Sequence, residues 1–73
     1  MRFALGEPGS YTLRIFGIDG RLVRTFSGST QGEAVSVHWN GADDQGQKVS
    51  AGVYFYRLDS AGFNKARRLI LVR

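Results

Sequence analysis

Hydrophobic and polar residues alternate with a period of two through most of the chain, the period of a strand with one buried face. In YTLRIFGI (11–18), Leu13 and Ile15 fall on one side and Thr12, Arg14 and Phe16 on the other. RLVRTF (21–26) follows directly across Asp19-Gly20. Asp-Gly between two alternating runs predicts a type I′ hairpin turn, which needs positive φ at both positions. VSVHW (35–39) places Val35, Val37 and Trp39 on one face, with Ser36 and His38 opposite. VYFYRLD (53–59) is rich in β-formers, and FNKARRLILVR (63–73) reads as the last strand. A short strand at RFAL (2–5) precedes GEPG, where Pro8 interrupts regular structure. SGSTQGEA (27–34) reads as a polar loop and SAG (60–62) as a turn. No segment carries a helical period, and no repeat or low-complexity tract is visible.

This pattern predicts an all-β fold, a small Ig-like antiparallel β-sandwich of about six or seven short strands. The stretch WNGADDQGQKVSAGVYFY (39–56) is the unusual part. Trp39 shares a face with Val35 and Val37, so it is expected buried, as an anchor between two packed sheets. Gly41 ends that strand where the chain bends. DDQG (43–46) fits a type I turn: the Asp43 carboxylate accepts local N–H groups and Gly46 takes positive φ. Gly52 opens the next strand, at a point where a side chain is expected to meet a neighbouring backbone.

Composition narrows the class. Seventy-three residues suffice for one domain, and the whole chain, 1–73, reads as one. Cysteine is absent, so neither a disulfide nor a cysteine metal site reinforces it. Hydrophobic residues are 42% and charged residues 22%, which is globular rather than disordered. The net charge of +4 is modest for a nucleic-acid binder. MRFALGEPGS lacks the apolar core of a signal peptide, and no run approaches the roughly 18 apolar residues of a transmembrane helix. An exported protein of this sequence would therefore be the tail of a longer precursor.

Candidate chemistry is sparse. His38 is the only histidine and alternates away from Trp39, toward solvent. No nucleophile motif or metal-ligand spacing surrounds it. Asp43, Asp44 and Asn40 could offer oxygens to calcium, but calcium takes about six to eight and no EF-hand spacing is present. SGSTQG lacks the lysine and helix of a phosphate loop. No catalytic residue, metal site or cofactor is expected, and the chain reads as a non-enzyme. Arg14, Arg21, Arg24, Arg57, Lys65, Arg67, Arg68 and Arg73 spread over several segments, as on a solvated sandwich face with a few cross-strand ion pairs. A nucleic-acid footprint would cluster them among aromatics on one sheet, so no nucleic-acid partner is expected, although Tyr54, Phe55 and Tyr56 beside Arg57 hint at that composition.

The stretch WNGADDQGQKVSAGVYFYRL resembles the W-[DN]-G-x-[DN]-[DN]-x-G-x-x-[VL]-x-x-G-x-Y-x-Y-x-[LV] signature of the FlgD-like Ig domain of flagellar hook-capping proteins. The matching residues are Trp39, Asn40, Gly41, Asp43, Asp44, Gly46, Val49, Gly52, Tyr54 and Tyr56. LRIFGIDGRLVRTF resembles the family's hairpin, with Gly20, Arg21 and Val23 in place, FALGEPG its opening and ARRLILVR its close. Leu5-Gly6 replaces the usual Leu-Pro, Ile15-Phe16-Gly17 lacks the usual acidic residue, and Arg68 stands where lysine is expected. The same domain is similar to the type A C-terminal sorting domain of type IX secretion. That resemblance implies an export address on a secreted or cell-surface bacterial protein that passes through the periplasm. Its partners would be a secretion-machinery protein, reading Lys65, Arg67 and Arg68, and a cargo domain upstream in the same chain. The alternative it implies is a structural Ig-like module of a hook cap or a surface multidomain protein. Fold alone does not choose between them.

Overall fold

A computed structural model describes residues 1–60 and 63–72. Part of the turn expected at 60–62, and Arg73, lie outside the described residues. Six strands are found among them: β1 (Arg2–Phe3), β2 (Gly9–Phe16), β3 (Leu22–Thr30), β4 (Val35–Ser36), β5 (Gly52–Ser60) and β6 (Phe63–Leu71). They form two antiparallel sheets, a four-stranded one in the order β3-β2-β5-β6 and a two-stranded one of β1 and β4. No helix is present among the described residues. The all-β, Ig-like sandwich is thus the fold of this chain.

The period-two alternation of β2 decides which face is buried. Leu13 and Ile15 are wholly inaccessible to solvent. Leu13 lies opposite Phe26 on β3 and Leu58 on β5. Leu13, Leu58 and Val37 form the core, with Met1, Phe3, Tyr11, Phe26, Val35 and Tyr56 packed against it. Each fully buried aliphatic side chain contributes about 1.5–3 kcal/mol. Two hydrogen bonds between the Met1 and Val37 backbones, each of 2.7 Å, continue the β1–β4 ladder over the core. Tyr11 packs edge-on against Phe3 and lies over Gly28, where an added Cβ would come within 2.7 Å of the Tyr11 hydroxyl.

Four expectations are corrected. The hairpin after β2 is not type I′, because Asp19 does not take positive φ and only Gly20 does, at 83°. The Gly20 N–H reaches the Gly17 carbonyl at 3.0 Å, and Gly17 donates to Arg21 at 2.8 Å. This is a three-residue loop: a type I turn through Ile18 and Asp19, closed by a left-handed glycine. The segment expected as a loop at 27–34 is strand as far as Thr30, because Gly9–Thr12 pairs with Ser27–Thr30. Trp39 is half-buried and stands outside the central cluster, since β4 stops at Ser36. At Gly52 a Cβ would meet nothing within 4 Å; its φ of 146° is what calls for glycine.

Candidate functional site

The signature stretch folds into a closed loop over one end of the core face. Gly41 turns the chain at a φ of 79°. The Asn40 side-chain oxygen accepts the Ala42 N–H at 3.1 Å, and the Trp39 indole N–H donates to the Ala42 carbonyl at 2.8 Å. The Trp39 ring meets Tyr54 edge-on at 5.2 Å between centroids. Tyr54 in turn donates its hydroxyl to the Ser50 carbonyl at 2.6 Å. Trp39 is thus a clamp between the loop and β5.

Asp43 and Asp44 do different work. Gly46 N–H bonds the Asp43 carbonyl at 3.0 Å with Gly46 at a φ of 83°, the type I turn that DDQG predicts. One Asp43 carboxylate oxygen accepts both the Gln45 and Gln47 N–H groups at 2.9 Å. Asp44 faces the β3 edge instead. Its N–H donates to the Val23 carbonyl at 3.0 Å, and its carboxylate accepts the Thr25 N–H at 3.0 Å. One residue therefore takes two backbone groups of an edge strand, as a paired strand would.

In the sequence Arg24 is one of several dispersed cations, yet it supports this loop. Its guanidinium donates to the Asp43 carbonyl at 3.2 Å, and its Nε sits 3.7 Å from the Asp44 carboxylate. The same group lies 4.8 Å over the Phe26 ring. The only sequence signal was its parity with Phe26, which puts it on the core face.

The opposite edge of the sheet is different. β6 ends the four-stranded order, is nine residues long and is exposed from Phe63 through Arg68. Lys65 lies opposite Leu58 and Arg67 opposite Tyr56, so both point to the core side of the sheet, beyond the buried region. Arg68 lies opposite Phe55 on the other face. The structure thus brings Lys65 and Arg67 together, about 7 Å apart along the strand, and sets Arg68 apart from them. No ion pair engages these three among the described residues. Unpaired cations on an exposed edge also oppose pairing with an identical edge.

His38 is exposed. Among the described residues no group of three or more histidine, cysteine or acidic side chains is placed to hold a metal. Glu33 has its carboxyl pKa lowered by the N–H groups of its own residue and of Gln31, with help from the Thr30 hydroxyl; this is a local loop arrangement.

No curated protein and no solved structure matches the chain. A family model does, over residues 2–62, which takes in the β2–β3 hairpin, the Trp39 clamp, the Asp43–Asp44 turn and β5 but stops before β6. On that match the chain belongs to the FlgD Ig-like domain family.

Proposed function

We propose that this Ig-like module is a non-catalytic export address, a C-terminal sorting domain read by a type IX secretion machine on a longer secreted precursor. The family is typically non-catalytic, which fits an address or a structural module better than an enzyme. The observation that carries the reading is the asymmetry of the sheet's two edges. Asp44 takes the Val23 and Thr25 backbone groups at one end of the β3 edge, whereas β6 offers nine residues of strand edge with Lys65 and Arg67 beside it. A receptor could extend such an edge by adding a strand of its own. Its complementary acidic side chains would speed the encounter more than they deepen affinity. The partner would be a secretion-machinery protein, the route would run through the periplasm, and the cargo would lie upstream in the same precursor.

The test fuses residues 1–73 behind a reporter with its own signal peptide, in a bacterium that has type IX secretion. The reporter is expected outside the cell, and expected to stay in the periplasm when Lys65 and Arg67 are both changed to Glu. If the intact fusion folds but stays in the periplasm, the address reading fails. The domain is then a structural module of a hook cap or surface protein, and an Ig-like module is what the family match supports.

A further inference from the structure

The face of the four-stranded sheet that points away from the core is ordered in rows across the strands. Arg14 on β2 lies directly opposite Arg57 on β5. Like charges so placed repel. Asp59 relieves this by meeting the Arg14 guanidinium at 3.1 Å and that of Arg57 at 3.0 Å. One carboxylate thus serves two guanidiniums and holds both in place, and the row stays cationic. The next row runs Leu22, Phe16, Phe55 and Arg68 across all four strands. Beyond it Val53 lies opposite Ile70. Leu22 is 47% exposed, Phe55 41% and Ile70 64%. At the hairpin end of the sheet Val53 also borders an open groove of about 450 Å³, which Val23, Val49 and Tyr54 line.

A contiguous apolar surface of this kind on a small domain marks an interaction site. We infer that this open face docks an acidic amphipathic helix of a partner protein. Three strand spacings make the aromatic row about 14 Å long. That length matches two to three helical turns, and the two apolar rows together match the width of one helix. A helix laid along them brings one flank beside the Arg14–Arg57 row and one end near Arg68, so carboxylates there complete the charge. A second copy of the chain would instead bring cationic rows together. A lipid surface takes up amphipathic helices that sink among its headgroups, whereas these side chains lie in a hydrogen-bonded sheet. The inference uses neither the β6 backbone edge nor Lys65 and Arg67, so it stands apart from the export reading.

The test titrates the 73-residue chain with a fluorescent synthetic helix about 14 residues long, carrying a leucine stripe flanked by glutamates. A twin peptide has lysines in place of the glutamates. The glutamate peptide is expected to bind at least tenfold more tightly and to weaken as salt rises. Its amide shifts should map to Phe16, Phe55, Arg57 and Ile70. Phe55→Thr should reduce binding at least tenfold, and Arg57→Glu with Arg68→Glu should reverse the preference between the peptides; circular dichroism confirms that each variant is folded. Equal binding of the two peptides, or indifference to both sets of variants, overturns the inference. So does binding to anionic phosphatidylserine vesicles without binding to the peptide, or a concentration-dependent dimer that buries Phe55.

Discussion

Replacing Trp39 separates its two contributions, because the indole both packs and donates. Trp39→Ala removes the hydrogen bond to the carbonyl of buried Ala42, the edge contact with Tyr54 and the burial of most of a large side chain. The hydrogen bond contributes about 1 kcal/mol. The aromatic pair adds about 0.5–1.5 kcal/mol. A fully buried tryptophan costs about 3–5 kcal/mol on truncation to alanine, and the partly buried Trp39 falls at the lower end of that range. These contributions overlap, and the expected total is about 3 kcal/mol. A domain of this size has about 4–10 kcal/mol of stability, so the variant should remain folded at low temperature with a much reduced urea midpoint. Trp39→Phe keeps a ring against Tyr54 but leaves the Ala42 carbonyl without its donor, for about 1 kcal/mol. Urea unfolding followed by circular dichroism measures both, since the only tryptophan is lost in each variant. If Trp39→Phe costs as much as Trp39→Ala, the ring contributes nothing and the clamp account is wrong. A Trp39→Ala cost below about 1 kcal/mol would refute it as well.

Asp44→Ala should cost about 1–2 kcal/mol, because the Thr25 N–H loses its acceptor and the buried Arg24 Nε its nearest charge; Asp44→Asn should cost less, and only the alanine variant should show raised light scattering from an opened β3 edge. With one Asp43 oxygen accepting two N–H groups and Asp44 holding β3, sub-millimolar calcium should leave the melting temperature unchanged, and a reproducible rise would show a cation site. The Glu33 carboxyl should titrate below the ordinary glutamate range by NMR; its stabilising effect is present above its unfolded pKa and disappears as pH falls through the lowered folded value, so Glu33→Gln should remove that acid-side dependence.

What the sequence determined by itself is what nearest neighbours determine. Period-two alternation placed Leu13 and Ile15 on one face, and both are fully buried. The Asp43–Gly46 turn was legible because its donors and acceptors lie within four residues of each other. The hairpin was legible in place but not in type: Asp-Gly marks a reversal, and the register of the β2–β3 ladder selects which residues take positive φ. Only the tertiary structure decided the rest. Ser27–Thr30 has loop composition yet is strand, because Gly9–Thr12 supplies its ladder and Gly28 leaves room for Tyr11. Trp39 departs from the Val37 cluster because the chain turns at Gly41 and carries the ring to Tyr54. Arg24, Asp44 and the free edge of β6 gain their meaning from strand order, which joins residues far apart in the chain. The same order sets Phe16, Phe55 and Arg68 in one row, although alternation along any single strand shows only one of them at a time.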